Sequence, residues 1–141
     1  GYCRMSHAHV EELVANDPEL RVVIKEWPIF EGSEASARMA LAAAKQGKFA
    51  AFHRTMFEQE PGDEAAIERA AKAAGLDLAK ARADAQGKDI SLELMRTGLL
   101  AEELGFTGTP AWITGETILQ GAQGVDALAD AIAGEGEGDA P

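Results

Sequence analysis

The sequence predicts an α/β fold in which a long helical stretch interrupts a small sheet. Three observations carry this. Val22-Val23-Ile24 is apolar on successive residues, the pattern of a strand covered on both faces. Residues 33–104 are rich in Ala and punctuated by Asp residues that can cap helices and Gly residues that can stop them. Ala111–Thr114 and Thr117–Leu119 flank Gly115-Glu116, which reads as a two-residue hairpin turn.

Taken in order, a first helix is expected from Cys3 to Ala15, with Val10, Leu13 and Val14 on one apolar face. Asn16-Asp17-Pro18 stops it, because proline cannot continue a helix and restricts the residue before it. Leu20–Ile24 is the expected strand, ended by Trp27-Pro28. Lys25 and Glu26 at its end read as two solvated charges. Helix followed by strand is half of a βαβ unit, whose opening strand is not among these residues.

Ser33 is a plausible N-cap for the next helix, and Met39–Ala44 is strongly helix-forming. Gln46-Gly47-Lys48 marks a break. Phe49, Phe52, Met56 and Phe57 then recur at helical spacing and read as core, with an exposed apolar groove as the alternative. Glu60-Pro61-Gly62 is a turn. Asp63 caps a helix through Ala74 that buries Ala66, Ile67, Ala70, Ala71 and Ala74, and Gly75 ends it. Asp77 caps a short helix to about Gln86. Asp89 caps another, with Leu92, Met95, Leu99 and Leu100 on its buried side, ending at Leu104-Gly105. These segments share no fixed period, so they are not a repeat. After the hairpin, Gly121–Gly124 leads into a last helix with Val125, Leu128, Ala129 and Ile132 on its apolar face. Gly134–Pro141 is acidic and Gly-rich, and disorder is expected there.

Composition bounds the function. The 141 residues suit one domain, and 46% are apolar, ordinary for a globular chain. No apolar run approaches the ~20 residues that span a bilayer, so stable membrane insertion is not expected. A net charge of −11 argues against nucleic acid as a partner. One cysteine excludes a disulfide within these residues and leaves the redox compartment unread. No phosphate-binding glycine loop, Ser-His-Asp pattern or paired carboxylates stand out. His7 and His9, two apart, do not share a helix face. Cys3 and His7 could share a metal at i, i+4, but no further ligand is apparent, so neither metal nor cofactor is expected.

Cys3 is the residue with chemistry. It sits where a helix starts, facing unpaired N–H groups and the positive end of the helix dipole. Both favour the thiolate, the reactive form of the sulfur. An inert buried cysteine is the competing reading of this stretch alone. A second stretch, Gly105-Phe106-Thr107-Gly108-Thr109-Pro110-Ala111-Trp112-Ile113-Thr114-Gly115, reads as a loop turning through a proline into a strand.

Gly1-Tyr2-Cys3 opening a helix and Gly108-Thr109-Pro110-Ala111-Trp112-Ile113 opening a late strand together resemble the DsbA family of thioredoxin-fold oxidoreductases. Val22 to Phe30, the Ala-rich helix from Ser33 and Gly121-Ala122 occur in the family's order, so the resemblance covers nearly the whole chain. It implies a thioredoxin-like fold with an all-helical insertion. Residues 1–32 and 105–133 would form the thioredoxin-like domain, 33–104 the insertion, and 134–141 a disordered tail. It implies thiol–disulfide exchange through a Cys-Gly-Tyr-Cys pair of which Cys3 is the second member. Gly1 and Tyr2 would be the dipeptide that tunes the potential. Pro110 would be cis and lie against the dithiol, and Thr109 would offer its backbone to an extended substrate. Lys25 is the closer match to a charged residue that lies near the dithiol in the family. Reduced or misfolded proteins and a redox partner protein are the implied partners, in the periplasm or another extracytoplasmic compartment.

The 141 residues begin inside that motif. The expectation is that Cys immediately precedes Gly1, and that these residues alone complete no redox cycle and fold poorly. Rival readings are a disulfide isomerase or reductase, a DsbA-fold glutathione-dependent isomerase or transferase, and a non-catalytic peptide-binding module.

Overall fold

A computed structural model describes residues 1–59 and 63–136. The elements are α1 (Tyr2–Asn16), α2 (Ser33–Lys45), α3 (Phe49–Glu58), α4 (Glu64–Ala73), α5 (Leu78–Ala85), α6 (Lys88–Glu103), β1 (Ala111–Thr114), β2 (Thr117–Gln120) and α7 (Val125–Gly136). They fall into two compact units, residues 1–24 with 102–141, and residues 25–101.

In the first unit, β1 and β2 form a two-stranded antiparallel sheet, with Trp112 opposite Leu119 and Ile113 opposite Ile118. Gly115 supplies the turn at φ +50°, a region that costs glycine little. Thr114 Oγ1 donates to the Ala131 carbonyl at 3.2 Å, fixing β1 to α7. Leu128 is buried on α7, which packs on both β1 and α1. The expected strand Leu20–Ile24 does not form. A strand exists only as part of a ladder, and no described residue pairs with this one. Val23 is 65% exposed, so the expectation that both faces are covered fails as well.

The second unit is built on close-packed alanines. Ala42 and Ala43 of α2, Ala66, Ala70 and Ala71 of α4, and Ala81 of α5 are all 0% exposed. With no side chain beyond Cβ, these faces let α2, α4 and α5 approach closely. Phe52 of α3 is buried in this core and Phe49 and Met56 pack against the cluster half-buried, whereas Phe57, the fourth residue of the expected stripe, is half-buried outside it. Asp63 and Asp77 cap α4 and α5, accepting from the N–H groups of Ala66 (2.8 Å) and Lys80 (3.0 Å). Each meets an N–H that the helix leaves unpaired.

Three local expectations are corrected. Ser33 is the first residue inside α2, not its cap; Gly32 holds that place, and the Ser33 hydroxyl donates back to the Phe30 carbonyl at 2.7 Å. Asp89 lies in the first turn of α6, and Lys45 holds it at 2.6 Å. The buried side of α6 carries Ile90, Leu94, Thr97 and Ala101, whereas Met95 and Leu99 are more than half exposed and Leu92 and Leu100 are also exposed. Apolar residues occur on more than one face of this helix, so periodicity alone does not choose. Asp89–Lys45 and Glu93–Lys25 (2.8 Å) are exposed ion pairs that flank the Ile90–Leu94 stripe.

The expected turn at Glu60-Pro61-Gly62 lies outside the described residues. So do residues 137–141 of the expected disordered tail, although α7 runs on through Gly136.

Candidate functional site

α1 begins at Tyr2 with Gly1 as its N-cap, so Cys3 is the second helical residue. The first turn holds no acidic side chain, and the positive end of the helix dipole is unopposed from within the helix. Tyr2 is 70% exposed beside it, and Cys3 itself is half-buried with a free thiol. One turn on, Ser6 is 1% exposed, and its hydroxyl has no hydrogen-bond partner among the described residues.

The sulfur faces the late loop. Cys3 Sγ donates to Thr109 Oγ1 at 3.4 Å across 106 residues of sequence, and the Thr109–Pro110 bond that follows is cis. The loop is held from its far side. The Gly121 N–H donates to the Pro110 carbonyl at 2.9 Å, and Trp112 Nε1 donates to the Gly121 carbonyl at 2.9 Å. Gln120 Oε1 accepts from the Thr107 hydroxyl at 3.2 Å, and its amide donates to the Gly105 carbonyl at 3.3 Å. Gly105 and Gly121 both adopt positive φ, +70° and +78°, where a side chain would be strained. Trp112 thus serves the loop through its ring N–H.

His9 makes a second bridge from α1. Its Nδ1 lies 2.9 Å from the Gln123 carbonyl oxygen. A carbonyl only accepts, so Nδ1 carries the hydrogen. Sequence reasoning set His9 aside as a metal ligand and gave it no other part in the site. It also ended the return strand at Leu119, leaving Gln120 out. Nothing local distinguishes either residue, because each acts on a backbone group remote in sequence.

Lys25 is engaged by Glu93. Glu26 is not a solvated charge. Burial pushes its carboxyl up from the ordinary 4.5 to about 7. His53 Nδ1 stands 3.8 Å away, beyond hydrogen-bond reach, and its ring stacks on Phe49 (5.2 Å) and lies tilted against Phe57 (4.5 Å). Among the described residues no three His, Cys, Asp or Glu side chains gather as metal ligands, and no helix is long and apolar enough to cross a membrane.

A thiol thus stands on the first turn of a helix, beside a cis-proline loop that opens a hairpin. The DSBA-like thioredoxin domain family matches residues 1–133, and the chain belongs to that family, whose members are thiol–disulfide oxidoreductases. Solved structures agree. A thioredoxin-like oxidoreductase from Silicibacter pomeroyi DSS-3 is similar at a TM-score of 0.92 and 35% identity, over 96% of this chain and 80% of that one. ScsC of Proteus mirabilis in a compact conformation gives 0.84 and 28%, over 94% and 75%. A periplasmic thioredoxin-like protein from Salmonella enterica serovar Typhimurium gives 0.82 and 25%, over 95% and 76%. No curated protein matches the chain in sequence.

Proposed function

We propose that this protein exchanges disulfides with substrate proteins through a Cys-Gly-Tyr-Cys pair whose second sulfur is Cys3, most simply as an oxidase of reduced proteins. The observation that carries the reading is the 3.4 Å contact between Cys3 Sγ and Thr109 Oγ1 beside Pro110. In the oxidised pair, a substrate thiolate attacks the first sulfur and Cys3 leaves as the thiolate. A mixed disulfide forms. The substrate's second thiolate then attacks its own sulfur in that mixed disulfide and releases the first cysteine. Two electrons pass from the substrate dithiol to the enzyme pair, and two protons follow to the enzyme sulfurs or solvent. Gly1 and Tyr2 lie between the two sulfurs and tune the potential. Thr109 and Pro110 present backbone to the extended substrate, in the manner of an added strand.

Reduced or misfolded proteins are the substrates, and a second redox protein resets the pair. The compartment is the periplasm or another oxidising space outside the cytoplasm, by analogy with the Salmonella relative's description. The test uses the full-length protein and its Cys3→Ser variant. Wild type oxidises a reduced model protein. The variant cannot, and on meeting a disulfide substrate it accumulates a mixed disulfide visible on a non-reducing gel, because no second thiol resolves it. A wild type that accelerates neither oxidation nor reduction, or a variant that turns over normally, overturns the reading. Ser or Ala immediately before Gly1 in the full-length protein would do the same.

A further inference from the structure

His9 is left over by the exchange mechanism, yet it makes a long-range hydrogen bond from the cysteine-bearing helix. We propose that His9 is a positioning residue that holds the Pro110 loop in register against Cys3. The inference rests on the exchange reading above and adds the device that sets its geometry.

The connection can be followed bond by bond. His9 Nδ1 donates to the Gln123 carbonyl at 2.9 Å. The Gln123 amide in turn donates to the Gln120 carbonyl at 2.8 Å, closing the Gly121–Gly124 turn on itself. Within that turn the Gly121 N–H bonds the Pro110 carbonyl at 2.9 Å, and the Gly121 carbonyl takes the Trp112 ring N–H at 2.9 Å. The turn is therefore the back wall of the Pro110 loop, and His9 ties that wall to α1. Cys3 and His9 lie six residues apart on α1, with the fully buried Ser6 between them on adjoining turns. In a disulfide Cys3 has no S–H left to donate, so the front tie to Thr109 is lost as it stands in the thiol state. The back tie does not touch the sulfur and persists through the cycle. A helix and a loop joined at two points keep their spacing when one point is released.

The chemistry of the bond selects the test. Nδ1 carries a hydrogen in one neutral tautomer and in the imidazolium, so the tie survives protonation. Asparagine places its side-chain amide where Nδ1 stands, one bond beyond Cγ, whereas glutamine places it one bond further. In the full-length protein, His9→Asn should retain exchange with a reduced protein substrate within about twofold of wild type. His9→Gln and His9→Leu should lose about tenfold to a hundredfold in kcat/KM, since an ångström of misplacement costs this much. Exchange with glutathione disulfide, a small probe with little need of the loop, should change by less than about threefold in all three variants. The proposal is overturned if Asn does no better than Gln. It is also overturned if protein and glutathione exchange fall together in proportion to a lowered melting temperature. Should His9→Leu fail to fold, the Asn and Gln pair, equally polar and differing only in donor position, still decides. A wild type inert toward both substrates would fell the exchange reading itself, and this inference with it.

Discussion

At Glu26 burial and charge are in conflict. Its carboxyl is held near 7 in the folded chain against an ordinary 4.5, with desolvation as the cause. His53 is close enough to feel, at 3.8 Å, but not to donate. The folded state therefore keeps a proton between about 4.5 and 7 that the unfolded state has released. More protons bound to the native state means that stability falls as pH rises through this window. The loss is complete above about 7 and reaches up to about 3 kcal/mol. Glu26→Gln should flatten this slope and leave the variant more stable than wild type at pH 8, measured by denaturant melts at pH 5, 6, 7 and 8. An unchanged slope in the variant would show that another group titrates. At Cys3 the same scale shows a different arrangement: a half-buried thiol, an exposed Tyr2 beside it and a threonine hydroxyl in front.

Among the elements, α6 tests how packing chooses a helix face. Leu94 is buried in the core of the second unit, and Leu99 is 57% exposed. Both are leucines on one helix, so propensity cancels in the comparison. Leu94→Ala removes buried methyl groups and leaves a cavity, at about 2–5 kcal/mol. Leu99→Ala should stay within about 0.5 kcal/mol, as for an ordinary surface change. Chemical denaturation of the two variants checks this; equal losses would restore the face that sequence periodicity chose. The short hairpin is the complementary case. Its register and turn are local, and four residues on each side suffice to define it.

For the whole molecule the uneven distribution of charge stands out. Residues 1–24 and 102–141 hold 12 acidic side chains against 2 cationic ones, Arg4 and Arg21, a net of −10. Residues 25–101 hold 12 against 11, a net of −1. Acids of this second unit are largely consumed in ion pairs such as Glu34–Arg38, Glu68–Lys72 and Glu93–Lys25. Glu102, Glu103, Glu116, Asp126 and Asp130 of the first unit are exposed and make no ion pair among the described residues. The unit that carries Cys3 is thus the source of the negative field. Such a field speeds encounter with cations and is screened by salt. Exchange with a basic reduced protein should slow steeply between about 0.02 and 0.5 M salt, while exchange with an acidic one should not slow. Stopped-flow rates at four salt concentrations would show it, and identical salt profiles for the two substrates would remove field steering.

What a few neighbouring residues settle among themselves can be read from the string of amino acids. Asp63 and Asp77 reach N–H groups three residues away, Gly115 turns a hairpin, and the alanine and phenylalanine stripes of α2 to α4 repeat every three or four residues. Those interactions close over short stretches of chain, so their pattern is visible in the string. The motif at Gly1-Tyr2-Cys3 and Thr109-Pro110 marked the family because its residues match in type and order, though nothing in their spacing measures a distance. The packed chain decided the rest: that Cys3 meets Thr109, that His9 meets the Gln123 carbonyl, that α6 turns Leu94 inward, that Val22–Ile24 finds no strand partner among the described residues, and that Glu26 is half-buried. Each of these depends on a partner, or the lack of one, far along the chain. Burial and pairing are properties of surroundings, and surroundings exist only once the chain has packed.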